Sequence, residues 1–246
     1  YVPMSIARVP QLIANGRIPV DVALIQVSMP DAFGYVSLGV SVDVVAAAIE
    51  SAKLVIAEVN PAMPWTLGDT TVHMDRIHRF VDVPAELPEY RHPPAEDAVV
   101  QQIARYIAGT IDDGSTLQIG LGRIPQEALR HLDDRRDLGI HSDVITDAIL
   151  PLLDKGIVTG AHKSQLRHKV VCSLAFGSRQ LYETIDRNPL FSFAPMDVVC
   201  NPATIAAQHR MVSVNQVFAI DLTGQACSDQ FGGAFYGGIG AQGDFL

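Results

Sequence analysis

The sequence lacks the features that mark several large classes of protein. Its 246 residues include only three cysteines, Cys172, Cys200 and Cys227, which are widely separated and form no CxxC pair. This argues against a disulfide framework or a zinc knuckle and favours a reducing compartment, so we expect a cytoplasmic protein with no metal site. No apolar run reaches the roughly 18 residues that a membrane-spanning helix needs. We therefore expect no membrane partner.

Positive charge is also scarce. Lys and Arg number 18 against 27 Asp and Glu, a formal net charge of −9, and no dense basic run occurs. We expect no nucleic-acid partner, because binding to phosphates needs clustered Lys and Arg. The chain is 48% hydrophobic, which is typical of a folded protein with a large core.

Strand-like apolar runs alternate with helix-like segments along the chain. Residues 21–28 and 53–59 are typical of buried strands, and 41–52 between them has the spacing of an amphipathic helix. This order predicts a parallel α/β unit. The segment 83–94 contains four prolines and is the best candidate for a linker.

The alternation continues after this segment. A helix is predicted over 94–111, with these apolar side chains facing the core: Val99, Ile103, Tyr106 and Ile107. The same patterns predict further strands over 116–119, 138–140, 170–175 and 212–222, and helices over 126–132, 146–154 and 179–186.

The first candidate for chemistry is the segment 119–125, between a predicted strand and a predicted helix. Gly120 and Gly122 allow backbone N–H groups to approach a ligand closely, and the following helix N-terminus favours negative charge. Pro125 replaces the third glycine of a dinucleotide fingerprint, which disfavours a nucleotide-dependent oxidoreductase. The alternative is a tight strand-to-helix turn that binds no ligand.

The second candidate is His141-Ser142-Asp143, at the expected carboxyl end of a strand. Folds of the α/β class place their ligands at this end of the sheet. The Asp143 carboxylate can serve as a nucleophile, as a general base or as a helix N-cap. Asp147 is a second carboxylate one turn further on, and its role can be limited to the helix dipole.

The third candidate is the segment 232–243, in which six glycines are interleaved with Phe235 and Tyr236. Such a density of glycine is expected where backbone amides must point at a substrate, as in an oxyanion hole. The alternative is a flexible loop.

Together, these motifs resemble the acetyl-CoA hydrolase/transferase family, which includes acetate and 4-hydroxybutyrate CoA-transferases. The resemblance spans nearly the whole chain, because further segments follow in the family's order: 21–28, 34–40, 57–60, 63–64, 214–215, 221–225 and 237–245. It implies an α/β fold of two related open lobes of the CoA-transferase type, with CoA bound in the cleft between them.

The resemblance also implies a division of the chain. Residues 1–90 match the C-terminal part of the family's N-terminal lobe, and residues 91–246 match the second lobe, which binds CoA and is catalytic. The family is longer at both ends, and this chain begins without Met and ends in a glycine-rich loop. We therefore expect both lobes to be incomplete here.

In that family, a glutamate of a His-Ser/Thr-Glu motif attacks the acyl-CoA thioester, giving an acyl-glutamyl anhydride and then a glutamyl-CoA thioester. The matching residue here is Asp143, whose carboxylate is set back by one methylene, roughly 1.5 Å. The resemblance implies an enzyme that transfers CoA between an acyl-CoA and a small carboxylic acid through this carboxylate. One alternative is a hydrolase in which Asp143 is a general base for water. Another is a catalytically weak acyl-CoA-binding subunit, since Ala219 also replaces a glutamate of the family pattern.

The same resemblance implies which residues hold CoA, which is a substrate and not a permanently bound cofactor. Backbone amides of the two glycine-rich segments are expected to bind CoA and stabilise the thioester oxyanion: Gly120, Leu121, Gly122, Arg123, Ile124, Gly237, Gly238, Gly240 and Gln242. Asn215 is expected to orient the substrate, and Arg123 or Lys163 to supply positive charge. We expect a homo-oligomer or a larger assembly.

Overall fold

A computed structural model describes residues 2–91 and 93–246, in which helices alternate with strands. The strands are β1 Val22–Val27, β2 Tyr35–Ser37, β3 Leu54–Val59, β4 Thr71–His73, β5 Arg79–Asp82, β6 Thr116–Ile119, β7 Gly139–His141, β8 Val144–Ile145, β9 Val170–Cys172, β10 Leu174–Ala175, β11 Phe191–Phe193, β12 Met211–Val214, β13 Ala219–Ile220, β14 Ala226–Cys227, β15 Gln230–Phe231 and β16 Ala234–Phe235. The helices are α1 Val9–Ala14, α2 Val45–Ser51, α3 Ala98–Gly109, α4 Arg123–Leu129, α5 Leu150–Asp154, α6 Arg179–Ile185, α7 Met196–Val199 and α8 Pro202–Ala206. Short 3-10 turns cover Ile6–Arg8, Met74–Arg76, Asp147–Ile149 and Gln242–Asp244. Within the described ranges, no helix is both long and apolar enough to cross a membrane.

The first sheet has the order β1-β3-β5, and all its strands are parallel. β1 and β3 pair over their whole length, and α2 connects them, which confirms the predicted α/β unit. Alternate residues of β1 are buried, beginning at Ala23, whereas Leu24 is 77% exposed. A pleated strand sends successive side chains to opposite faces, so only one face of this sheet reaches the core.

The second sheet is five-stranded and wholly parallel, in the order β11-β9-β7-β6-β12. The chain runs from β6 through β7 and β9 to β11 on one side, then returns to place β12 on the other side of β6. The strand order therefore reverses at β6. In open parallel sheets, the carboxyl ends of the strands at such a reversal form a crevice that binds ligands.

The helix α3 begins after Asp97, whose carboxylate accepts a hydrogen bond from the Val99 N–H at 2.8 Å. The predicted inward face of this helix is mostly wrong: Val99, Ile103 and Tyr106 are 65%, 38% and 70% exposed, and only Ile107 of the four packs against the core. Its buried residues are instead Val100, Ala104 and Ala108. Helix α3 packs against α4, and small side chains on that face allow two helix backbones to approach closely.

The two sheets share one continuous set of buried apolar residues. Backbone hydrogen bonds also link the segment between β3 and β4 to the second sheet, since the Asp69 N–H donates to the Phe193 carbonyl at 2.8 Å and the Phe193 N–H donates to the Leu67 carbonyl at 2.7 Å. Residues 83–91 and 93–94 are neither helix nor strand. The domain boundary at residue 90 stays a prediction.

Lys163 lies inside the core and not at the surface. Its side chain is wholly buried, and Nζ donates to the carbonyl oxygens of Ile140 at 2.8 Å and Lys169 at 2.9 Å. Space for it depends on Gly139, where a Cβ would lie 2.6 Å from the Lys163 Cγ. The expectation that Lys163 supplies positive charge to CoA is therefore wrong.

Burial lowers the pKa of Lys163 to about 7, which predicts a specific pH dependence of stability. The unfolded chain keeps this amine protonated up to its ordinary pKa, whereas the folded protein loses the proton near pH 7. The free energy of unfolding should therefore rise between about pH 7 and pH 10, by up to about 1.4 kcal/mol per pH unit from this group. Denaturant titrations of Lys163→Met across this range should show a flatter rise. The matched variant Lys155→Met, at a half-exposed surface lysine, should keep the rise of the wild type.

Candidate active site

Three of the sequence motifs meet at the carboxyl ends of neighbouring strands. Gly120 to Gly122 follow β6, Asp143 follows β7, and Asn215 follows β12. They surround a cavity of about 420 Å³. Most of the residues predicted to bind or act on substrate line it: Gly120, Leu121, Gly122, Asp143, Asn215, Gly238, Gly240 and Gln242.

Three predicted binding residues do not line this cavity. Arg123 and Ile124 form the first turn of α4. Gly237 lies beside the cavity, and its N–H already donates to the Asp229 carbonyl at 3.3 Å. Their contact with CoA stays a prediction.

Asp143 lines the cavity, and both side chains that donate to its carboxylate bond the same oxygen. Its Oδ1 accepts a hydrogen bond from Gln118 Nε2 at 3.1 Å and a longer one from Ser142 Oγ at 3.4 Å. Burial raises the pKa of Asp143 above its ordinary value. Hydrogen bonds from Gln118, from the backbone N–H groups of Asp143 and Val144, and from Ser142 lower it by less. The carboxyl group is therefore harder to ionise than a carboxyl in water.

The helix that follows is capped by other residues. Thr146 is the N-cap of the 3-10 turn, where its hydroxyl accepts from the Ala148 N–H at 3.4 Å. Asp147 accepts hydrogen bonds from the N–H and the hydroxyl of Ser178, both at 3.0 Å, just before α6. The interpretation of Asp143 as a helix N-cap is thus wrong, and Asp147 serves the start of a different helix.

His141 is buried beneath the site. Its Nε2 lies 2.7 Å from the Val199 carbonyl oxygen, and a carbonyl can only accept, so Nε2 carries the proton. Burial lowers the pKa of His141 to about 4. The imidazole is therefore neutral at pH 7, and its one proton is held by a backbone carbonyl.

The glycines after β6 are required by close approach of the chain after β12. A Cβ on Gly120 would lie 2.5 Å from Asn215 Oδ1, and one on Gly122, where φ is +152°, would lie 2.8 Å from Gln216 Oε1. The Gly120 N–H donates to the Val214 carbonyl at 2.9 Å. Gly120 therefore permits a tight junction of β6 with β12, and its own N–H is not turned to the cavity.

The glycine-rich segment near the end differs in this respect. Gly240 has a φ of +57°, and a Cβ there or on Gly237 would meet nothing within 4 Å. Packing inside the described chain therefore does not require glycine at these positions. Phe218 and Tyr236 also line the cavity, with ring centroids 4.7 Å apart in an edge-to-face contact.

The structure corrects the strand predicted over 212–222. β12 ends at Val214 and β13 begins at Ala219, and the residues between them line the cavity. Sequence reasoning missed Gln216, Val217 and Phe218 there, because apolar residues on both sides of Asn215 and Gln216 suggested one continuous strand. Among the residues that the structure describes, no cluster of three or more His, Cys, Asp or Glu could hold a metal ion.

Two family models match the chain. The acetyl-CoA hydrolase/transferase N-terminal domain matches residues 1–110, and the C-terminal domain of the same family matches residues 177–246. The chain is 42% identical over 246 residues to a 4-hydroxybutyrate coenzyme A transferase of Clostridium kluyveri. The matched region covers all of this chain and 57% of that protein.

Solved structures show the same likeness. A 4-hydroxybutyrate CoA-transferase from Porphyromonas gingivalis is 40% identical with a TM-score of 0.86, over 90% of this chain and 56% of that one. RipA from Yersinia pestis is 34% identical with a TM-score of 0.93, over 100% of this chain and 56% of that one. The chain thus spans about half the length of the proteins it matches. The resemblance predicted from the motifs is confirmed, as is the α/β fold: the chain belongs to the acetyl-CoA hydrolase/transferase family.

Proposed function

We propose that the protein transfers CoA from an acyl-CoA to a small carboxylic acid, with Asp143 as the nucleophile. The observation that carries this is the position of the Asp143 carboxylate, which lines a cavity at the strand reversal beside two glycine-rich segments. The printed names of the relatives support the reaction class, since those of Clostridium kluyveri and Porphyromonas gingivalis are CoA transferases.

The proposed reaction proceeds without net consumption of water. A carboxylate oxygen of Asp143 attacks the thioester carbonyl carbon, and the CoA thiolate leaves to give an acyl-aspartyl anhydride. The thiolate then attacks the aspartyl carbonyl carbon, which releases the first acid and forms an aspartyl-CoA thioester. The acceptor carboxylate attacks the carbonyl carbon of that thioester and expels the CoA thiolate, which gives a new acyl-aspartyl anhydride. The thiolate then attacks the acyl carbon of this anhydride. This regenerates Asp143 and releases the new acyl-CoA.

Backbone amides are proposed to stabilise the oxyanion and to hold CoA. Gly238 and Gly240 line the cavity, and open space surrounds the position of a Cβ on Gly240, which supports a role in close approach to substrate. Leu121 and Gly122 face the same cavity from the opposite turn. Arg123, Ile124 and Gly237 remain proposed contacts on the family resemblance alone. Asn215 is proposed to orient the substrate indirectly, because its amide is hydrogen-bonded to Gln118, which in turn bonds Asp143.

A thioester hydrolase is the second candidate, and the shorter side chain of Asp143 favours it. Near-attack geometry requires reacting atoms about 3–3.5 Å apart, and a misplacement of about 1 Å can lower the rate roughly 10²-fold. A carboxylate that stops short of the thioester has room for a water molecule. Its raised pKa would also make it a stronger base.

The transferase needs a carboxylic acid acceptor, whereas the hydrolase needs only water. The full-length protein is incubated with acyl-CoA, with and without an acceptor such as acetate, and both free CoA and new acyl-CoA are measured. A transferase forms new acyl-CoA only with the acceptor and releases little free CoA. Steady release of free CoA without acceptor would support the hydrolase, and neither product would reject both. Asp147→Asn is the matched control, and should stay active because that carboxylate binds Ser178.

The pH dependence of turnover provides a separate prediction. Both candidate functions need ionised Asp143, and burial raises the pKa of this group. Activity should therefore fall on acidification at a pH above the ordinary pKa of aspartate, and should be constant above that limb until another group titrates. The measurement is kcat/KM for acyl-CoA against pH.

A further inference from the structure

Gln118 is a fully engaged amide inside the site. It lies on β6, in a run of four buried residues, and only 1% of it is exposed. Its Nε2 lies 3.1 Å from Asp143 Oδ1 and 3.2 Å from Asn215 Oδ1. One nitrogen thus has an acceptor for each of its two hydrogens.

The other end of the amide is held equally well. Gln118 Oε1 accepts from Ser213 Oγ at 2.6 Å and from Asn215 Nδ2 at 2.9 Å. Asn215 Nδ2 also donates to Ser213 Oγ at 2.8 Å. The parallel register places Ser213 directly opposite Gln118, so this network follows from strand pairing.

These contacts fix which way the amide points. If Gln118 were turned over, its oxygen would face the Asp143 carboxylate, and its nitrogen would face the Asn215 donor. Both pairings are unfavourable, since two acceptors or two donors would then meet in a buried place. With Asp143 ionised, the Gln118 N–H is therefore directed at its carboxylate.

We propose that Gln118 is the positioning residue of the site, and that Gln118, Ser213 and Asn215 form a rigid brace that sets the direction and the ionisation of the Asp143 carboxylate. The effect of the brace on turnover rests on the proposed function, whereas its effect on the Asp143 carboxylate does not. Both side-chain hydrogen bonds to the carboxylate fall on Oδ1. The brace thus anchors Oδ1, and because the carboxylate is planar this also restricts where Oδ2 can point.

The remaining titratable neighbours do not supply this control. Burial raises the pKa of the Cys172 and Cys200 thiols, and the nearby Asp143 carboxylate raises both further, so both thiols are neutral at pH 7 and place no charge beside Asp143. His141 is neutral at the same pH, because burial lowers its pKa to about 4. Lys163 binds backbone carbonyls and not the carboxylate. Of the hydrogen bonds that favour the ionised form, the one from Gln118 has the largest effect, ahead of those from the backbone N–H groups of Asp143 and Val144 and from Ser142.

The test replaces Gln118 by Met, which is of similar length and cannot donate. The Asp143 pKa is measured by carboxyl-carbon NMR, with the signal assigned from its absence in Asp143→Asn, and kcat/KM is measured against pH. Loss of the donor should raise the Asp143 pKa further and move the acid limb upward. At the plateau, kcat should fall about 10- to 100-fold, while KM should change by less than about twofold, because binding energy is not removed.

Two further variants separate this from a loss of packing. Gln126→Met removes another buried amide, which bonds the Gly120 carbonyl at 3.1 Å and not Asp143, so it should leave the Asp143 pKa in place. Gln118→Glu keeps the shape but sets a second carboxyl against Asp143, and should raise the pKa of Asp143 in the same direction. An Asp143 pKa that is unchanged in both Gln118 variants would overturn the brace, even with an active enzyme. An inactive wild type with the NMR shift present would reject the proposed function and keep the brace.

Discussion

Asp143→Asn should abolish turnover of acyl-CoA, with a loss of about 10³- to 10⁶-fold, as expected when the nucleophile of a covalent mechanism is removed. The amide oxygen can still accept the hydrogen bond that Gln118 donates to Oδ1, so the geometry of the site should survive. The amide cannot form the anhydride, because it is not a competent nucleophile at this position.

The same variant should be as stable as the wild type or more stable at neutral pH. Burial raises the pKa of Asp143, so the folded protein is penalised for holding the charge. Protonated Asp143 carries no such penalty. The wild type therefore has its full stability from this group at low pH, and loses it as the pH rises through the pKa of Asp143 in the folded protein. The gain from Asp143→Asn should therefore be larger at pH 8 than at a pH below the ordinary pKa of aspartate. Thermal denaturation at both values, beside the control Asp147→Asn, measures it, and strong destabilisation at pH 8 would show that the carboxylate holds the fold together.

Gly68→Ala should cause the largest loss of stability among the glycine variants, at least about 3 kcal/mol. A Cβ at this position would lie 2.2 Å from the Phe193 carbonyl oxygen and 2.7 Å from its nitrogen, and φ is +117°. Both obstructing atoms belong to the backbone of β11, which cannot rotate away as a side chain can. Gly68 forms a bridge with Phe193, so the substitution should also separate the first part of the chain from the edge of the five-stranded sheet.

Gly16→Ala provides the matched control. Its φ is +73°, and a Cβ there would meet nothing within 4 Å. Gly16→Ala should therefore cost roughly 1–2 kcal/mol for placing alanine in a left-handed backbone conformation, with no steric clash of the kind that Gly68→Ala has with Phe193. Chemical denaturation of both variants separates the two contributions. Equal losses would show that the contact with Phe193 can relax, contrary to the prediction.

The sequence predicted the convergence of the motifs because the rule behind it is topological. Apolar runs identified the strands, and carboxyl ends of parallel strands meet at one edge of a sheet. Gly120 and Asp143 could thus be expected together before any geometry was known. The buried face of α3 could not, since Val99 and Tyr106 are larger and have more apolar surface than Ala104, yet Ala104 is buried and they are exposed.

The role of Gln118 could not be predicted from the hydrophobic pattern of the sequence either. A glutamine within the buried run 116–119 is a polar residue in an apolar strand, and such a residue needs a partner. Its partners are Ser213 and Asn215, almost a hundred positions away, and only the parallel register of β6 and β12 brings them together. Lys163 was misjudged for a related reason, because its charge suggested the surface while Gly139 leaves space for it in the core.

Trapping of the covalent intermediate tests the central claim most directly. The full-length protein is mixed with acyl-CoA, treated with borohydride to reduce an aspartyl-CoA thioester to an alcohol, and digested for mass spectrometry. The account predicts that the modification is found on the peptide that contains Asp143, and that it is absent without acyl-CoA and in Asp143→Asn. Active transfer with an unmodified Asp143, or with the modification on another carboxylate, would contradict it.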